Sequence, residues 1–281
     1  MPSHRHLACK LNYFQSIILL FAVVILIGAA LLMLPISAQE RMVTPFHEAL
    51  FTATSAVCVT GLVVRDTASH WSAFGQAVLM VLIQIGGLGV ITVGASFSLL
   101  SGRRISLSQR GRMQEAMSAP KVGGIVRLTG FVIRSSLVME GIGALCMLPV
   151  FCRDFGVSGI WKAIFHSVSA FCNAGFDLMG TPDTPFVSLT AYRADTAINL
   201  TISALIVVGG IGFLTWDDVR TNRLHFHRYR LQSKVILTAT ALLILLPTLY
   251  FFCFEFKGGT LRERLLLSLF QSVTPRTAGF N

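Results

Sequence analysis

The sequence predicts an all-α polytopic membrane protein, assembled from repeated helix–pore loop–helix units around a central pathway. Three observations predict it. The 281-residue chain is 53% hydrophobic and only 13% charged, with a mean hydropathy of +0.69, far from the balance of a soluble domain. Five stretches are apolar and long enough to cross a bilayer, since about 20 helical residues match a hydrocarbon core of about 30 Å. A short glycine-bearing pattern returns three times, each time beside one of these stretches.

The elements follow in order. Residues 14–34 form the first span. Basic Arg5 and Lys10 precede it, but its length exceeds the ~7–15 residues of a signal-peptide core. No small-residue cleavage site follows Leu34-Pro35, so it reads as a retained helix. A shorter apolar segment, 49–64, carries the first copy, Ser55-Ala56-Val57-Cys58-Val59-Thr60-Gly61. The second span, 71–100, is longer than a bilayer needs and must tilt, bend or protrude. The third span, 135–151, holds a single charge, Glu140. Segment 163–176 carries the second copy, Ser169-Ala170-Phe171-Cys172-Asn173-Ala174-Gly175-Phe176. Spans 196–216 and 235–254 follow. Segment 265–274 leads into the third copy, Ser272-Val273-Thr274-Pro275-Arg276-Thr277-Ala278-Gly279-Phe280, one residue longer between serine and glycine. A second repeat accompanies the first: Ile85-Gly86-Gly87-Leu88-Gly89 in the second span matches Val208-Gly209-Gly210-Ile211-Gly212 in the fourth. The unit is therefore helix, short re-entrant segment, glycine loop, helix. Residues 1–101 make one unit, 102–219 a second with its linker, and 220–281 an incomplete third, with no fourth.

Charge orients the chain. The N-terminus and the linkers 101–134 and 217–234 carry 14 of the 23 basic residues against Glu115, Asp217 and Asp218, whereas the loop side holds nine acids. The positive-inside rule puts the N-terminus and linkers in the cytoplasm and the glycine loops outside. This asymmetry accounts for most of the net charge of +10. The basic residues hug membrane ends without interleaved aromatics, which argues against nucleic-acid binding. The six cysteines show no CxxC or paired spacing, so neither disulfides nor zinc are indicated. His4-x-His6 and His225-x-His227 lack a nearby carboxylate or thiol to complete a metal site. No HExxH, GxSxG or phosphate-binding loop occurs, so the chain does not read as an enzyme.

The loops suit an ion. A cation leaving water needs oxygens in place of its hydration shell, and backbone carbonyls aimed at an axis supply them. Glycine lets those carbonyls align, because it takes dihedrals closed to other residues. A short helix whose C-terminus approaches the axis adds the negative end of its dipole, favouring cations. Irregular backbone at membrane depth is tolerated where it lines protein or a wet cavity. The three loops therefore predict a central ion pathway for a monovalent cation, rather than glycines that merely let helices pack closely.

At these residues the chain resembles the Ktr/Trk/HKT superfamily of potassium transporters, and is most similar to the bacterial Ktr-type membrane subunit. The resemblance rests on the three loops, on Arg276-Thr277-Ala278-Gly279-Phe280-Asn281, and on Arg104-Ile105-Ser106-Leu107 with Gln114-Glu115-Ala116 in the first linker. It implies potassium uptake across the plasma membrane through a filter of backbone carbonyls. By the same resemblance the filter is lined by Cys58, Val59, Thr60 and Gly61, by Cys172, Asn173, Ala174 and Gly175, and by Thr277, Ala278 and Gly279. Glycine at all three positions is similar to potassium-selective members. Potassium is then the cargo, sodium stays open as a coupling ion, and no covalent cofactor is implied. The resemblance also implies four units, a homodimer and a cytosolic nucleotide-binding regulatory ring, for which the basic linkers are the docking surface. The alternative use of those linkers is contact with anionic membrane lipid. A chain with three units reads as a fragment of such a subunit.

Single residues carry further expectations. Arg276 should point away from the pathway, pair with an acid and brace its loop. Asp177 either gathers cations at the mouth or caps its loop. Glu140 is either a functional intramembrane carboxylate or the partner of a snorkelling Arg134. Asp217 and Asp218 end the fourth span as solvated residues or as a partner contact. Two other functions compete with the channel-like pathway. A cation-coupled carrier with broken helices would need inverted repeats, whereas these run in one orientation. A scaffold, or an enzyme using His166, would not need three glycine loops.

Overall fold

A computed structural model describes residues 13–89, 92, 111, 125–223 and 225–281. His4, His6, Arg5, Lys10, the segments around Arg104 and Gln114 and most of the end of the second expected span lie outside them. The described residues are helical, with one isolated bridge between Ala38 and Trp71.

The first unit opens with α1 (Tyr13–Leu32), continues through α2 (Phe46–Val57) and the single turn α3 (Thr67–His70), and ends in α4 (Ala73–Leu88). Ser72 caps α4 by accepting from the Gly75 amide. The second unit has α5 (Ile125–Phe155), α6 (Ser158–Phe171), α7 (Thr196–Gly210) and α8 (Phe213–Asn222). Asp195 caps α7 by accepting from the Ile198 amide. The third contributes α9 (Leu231–Tyr250), which opens into a π-helical turn over Phe251–Glu255, and α10 (Leu261–Val273). At the start of α10, Thr260 and Glu263 form a reciprocal capping box.

Among the described residues, α1, α5 and the α9 segment are long and apolar enough to span a membrane, and α7 with α8 makes a bent fourth candidate. Their outward faces are apolar: Ile27 on α1, Leu145 on α5 and Leu246 on α9 are all exposed. The inner contacts use small residues. Ala49, Ala53 and Ala56 of α2 are fully buried, which brings α2 close to α1 and α4.

Three boundaries differ from the sequence expectation. The third span is not 135–151 but the 31-residue α5, about 46 Å long, which continues through Arg134 and Arg127. Hydropathy stopped at the first charge; the helix does not. The second span ends as a helix at Leu88, where Gly89 takes φ +82°. The fourth is not one helix to Trp216, because α7 ends at Gly210 and α8 leaves at 94°. Gly212 takes φ +82° at this elbow, closely matching its repeat partner Gly89. Trp216 spans the bend by donating its indole N–H to the Val208 carbonyl at 3.0 Å.

Candidate functional site

The three short helices α2, α6 and α10 each end where a glycine loop begins, which positions the loops. Cys58 and Cys172 close α2 and α6 in nearly the same geometry, with φ −83°, ψ −1° and φ −73°, ψ −5°. The next residues, Val59 and Asn173, both enter the left-handed region at φ +56° and +60°. Gly61, Gly175 and Gly279 then adopt φ of +74°, +72° and +74°. A residue with a Cβ is disfavoured there. The loops are also closed alike: the amides of Thr60, Ala174 and Gly279 donate to Ser55 O, Ser169 O and Thr274 O at 2.9, 2.7 and 2.9 Å.

The third loop differs in two details. Thr277, the counterpart of Val59 and Asn173, sits at φ −154°. The serine role passes to Thr274. Ser169 Oγ donates to Phe176 O at 2.7 Å, and Thr274 Oγ1 donates to Phe280 O at 2.6 Å. Ser272, matched with Ser169 by sequence, instead shares a hydrogen bond with Thr248 of α9. Pro275 belongs to a 3₁₀ turn at the end of α10, and that turn absorbs the extra residue.

The loops meet one another. A Cβ on Gly61 would lie 2.4 Å from the Ala174 carbonyl oxygen, and one on Gly175 would lie 1.9 Å from that of Ala278. Real Cβ atoms essentially never approach so closely. The carbonyls of the second and third loops therefore face the glycines of the first and second across a narrow gap. Thr277 Oγ1 adds a direct link to the Asn173 side chain at 2.8 Å. In its better-satisfied orientation the Asn173 amide donates to Thr277 Oγ1 and Ile206 O and accepts from the Gly210 amide. It thereby ties the second loop both to the third and to the elbow.

The second glycine repeat supports the short helices from behind. A Cβ on Gly86 would meet Val57 O at 2.2 Å, and one on Gly209 would meet Phe171 O at 1.9 Å. Val57 and Phe171 are the last residues of α2 and α6, so α4 and α7 press on corresponding carbonyls. Sequence reading saw this repeat without its purpose. Asp66 it missed altogether: it accepts from Ser69 N and Oγ and, across units, from Phe186 N at 2.9 Å. It thereby fastens the loop before α7 to the start of α3.

Arg276 turns toward α9 and donates to Thr240 Oγ1 at 3.2 Å. The expected acid is replaced by a hydroxyl, because the facing helix offers threonine at that depth. Asp177 accepts from the Met179 amide at 3.0 Å, a loop-capping contact. Glu140 is 6% exposed and accepts from Gln84 Nε2 at 2.8 Å, so α4 rather than Arg134 supplies its partner. Asp218 is not solvated: it is 3% exposed and accepts from Ser233 Oγ and the Arg230 amide at the start of α9. His166 is fully buried, with one ring nitrogen on Lys162 O and the other accepting from the Leu178 amide. It pins the loop after α6 through the Leu178 amide.

Residues 6–281 match the TrkH cation transport protein family. The chain is similar to the potassium/sodium uptake protein NtpJ of Enterococcus hirae, with 42% identity covering 96% of this chain and 60% of that protein. It is 42% identical to the Ktr system potassium uptake protein B of Bacillus subtilis, over 93% of this chain and 58% of the relative. The corresponding protein of Vibrio alginolyticus is 38% identical, over 95% and 59%. The chain thus spans about three-fifths of the length of these relatives. With a family match along nearly its whole length, this chain belongs to the TrkH family of cation transport proteins.

Proposed function

We propose that the chain forms three walls of a potassium-uptake pathway in the bacterial plasma membrane, with the glycine loops as its selectivity filter. The observation that carries the reading is the approach of the Ala174 and Ala278 carbonyls to Gly61 and Gly175. Backbone oxygens held this close around an axis, with left-handed glycines between them, are what replaces the water of a monovalent cation. Residues Cys58 to Gly61, Cys172 to Gly175 and Thr277 to Gly279 line the walls, with Arg276 and Asp177 bracing them. The C-termini of α2, α6 and α10 direct negative dipole ends toward the cation. Sodium serves as a coupling ion or not at all, a choice made by small differences spread over many contacts. On this reading a fourth loop of the same kind would close the pore.

The test is potassium uptake in cells stripped of their own uptake systems. The protein at its natural full length should restore growth at low potassium, and Gly175→Asp should abolish it at equal membrane abundance. Absence of rescue by a protein that reaches the membrane would defeat the reading.

The orientation proposed from charge puts the N-terminus and the α8–α9 connection in the cytoplasm. We propose that a homodimer docks there on a nucleotide-binding regulatory ring, through Arg220, Arg223 and Arg228. Replacing all three by glutamine should end co-purification with the ring without altering membrane insertion; unchanged co-purification would remove the assignment.

A further inference from the structure

On the side of the protein opposite the glycine loops, a cavity of about 830 Å³ opens between α5, the end of α7 and α8. Three guanidinium groups line it, those of Arg127, Arg134 and Arg220, and no acid does among the described residues. The rest of the wall is largely apolar, with Phe131, Val138 and Trp216 among it. The volume falls within the ~300–1,000 Å³ of ligand sites.

Among the described residues these arginines have no acidic partner. Ion pairs elsewhere join Arg65 to Glu48 and Arg230 to Asp217 and Asp218. Among the described residues Arg127 and Arg134 have no such partner, and Arg220 only lies over the Phe131 ring at 4.7 Å. Arg127 and Arg134 stand seven residues apart on α5, two turns along one face, about 10 Å in separation. Both belong to the stretch Val126–Phe155 that is apolar enough to span the membrane. Exposed guanidinium groups at the end of a spanning helix attract the anionic headgroups of a membrane surface.

We propose that this cavity binds an anionic phospholipid of the leaflet opposite the glycine loops, with its phosphate among Arg127, Arg134 and Arg220 and an acyl chain along Phe131 and Val138. Charge complementarity selects an anion, and the planar forks of arginine suit phosphate oxygens. Geometry selects a lipid over a soluble anion. The apolar wall continues past Val138 into the exposed Leu137, Ile142 and Leu145 of α5, the surface that faces hydrocarbon. A free phosphate would leave that wall uncovered. The occupied site would brace α5 against the elbow, since Ile211 and Trp216 form its far side. Because the site lies away from the glycine loops, the proposal stands apart from the potassium reading.

The full-length protein, purified in a mild detergent, would be titrated with phosphatidylglycerol and with phosphatidylcholine, and bound lipid counted by native mass spectrometry. Phosphatidylglycerol should bind at least about tenfold more tightly. The R127Q/R134Q/R220Q protein should lose that preference, and R223Q/R228Q should keep it. An unchanged preference in the triple variant overturns the proposal, as does an equal loss in the control pair. Displacement of the lipid by millimolar inorganic phosphate would reassign the site to a soluble anion and overturn it too. Should the triple variant not fold, photoreactive phosphatidylglycerol on the unaltered protein decides. Labelling concentrated within residues 127–139 supports the site; labelling elsewhere, or equal labelling by the choline lipid, defeats it.

Discussion

Replacing Gly175 by alanine adds one methyl group at the point where two loops come nearest. The new Cβ would stand 1.9 Å from the Ala278 carbonyl oxygen, where 3.0 Å is the least that real contacts show. One of the two backbones must therefore retreat by more than 1 Å. Neither can do so by rotating a side chain, because both partners are main chain. The methyl group also meets φ +72°, which costs about 1–2 kcal/mol in the left-handed region. That strain is small against the stability of a domain, so the protein should still reach the membrane. The displaced oxygen matters more: losing one preorganised ligand of a charge is worth on the order of 100-fold in rate. Potassium uptake by Gly175→Ala, normalised to protein in the membrane, should therefore fall about 100-fold. Gly141→Ala, which meets nothing within 4 Å among the described residues, should transport normally. Normal uptake by Gly175→Ala with undiminished preference for potassium over sodium would refute the carbonyl-lined pathway.

Two further outcomes concern Asp66 and Glu48. Asp66→Ala strands the Phe186 and Ser69 amides and should lower stability by about 1–3 kcal/mol, with faster proteolytic cleavage near Phe186–Ser188; cleavage at the original rate would show that the cross-unit clamp does not hold the loop. Glu48 takes a two-pronged contact from Arg65 at 2.8 and 3.0 Å, and this hydrogen bonding holds its carboxyl below the usual 4.5. The folded protein thus releases this proton more readily than the unfolded chain, so the pair's contribution is present above pH 4.5 and is lost as pH falls through the lowered value. With Arg65 half exposed, Glu48→Gln should cost no more than about 1 kcal/mol at neutral pH, and melting curves of the two proteins should converge in acid. A gap independent of pH would mean that the ion pair is not its source.

Much of the architecture could be read from composition and repetition, because a hydrocarbon solvent imposes simple rules. Apolar length marks a span, and a left-handed turn at fixed distance from a helix end demands glycine. Cys58 and Cys172 were legible as matching positions of the repeated pattern, though the structure alone shows that they end α2 and α6. The third loop was misaligned because a threonine can do what a serine does: Thr274 bonds Phe280 O while Ser272 faces another helix. The elbow at Gly212 escaped hydropathy, which sums apolarity along the chain and is blind to direction. The repeated Gly-Gly-x-Gly held the signal, since its first glycine approaches a helix-end carbonyl and its last takes a positive φ. Asp66 left no mark at all, for its partner is 120 residues away and is a backbone amide.

The contacts between the glycine loops have a direction. Gly61 leans on Ala174 of the next unit and Gly175 leans on Ala278 of the one after, so the donor and acceptor surfaces differ. This is the head-to-tail relation by which separate subunits build a ring, here threaded onto one polypeptide. In such a ring no wall has a geometry of its own, because each borrows its position from its neighbour. Changes at two glycines should consequently fail to add, the second finding a wall already displaced by the first. If the loops form the proposed filter, its selectivity would belong to the circuit as a whole, and the covalent thread would let each wall diverge in sequence, as Val59, Asn173 and Thr277 have.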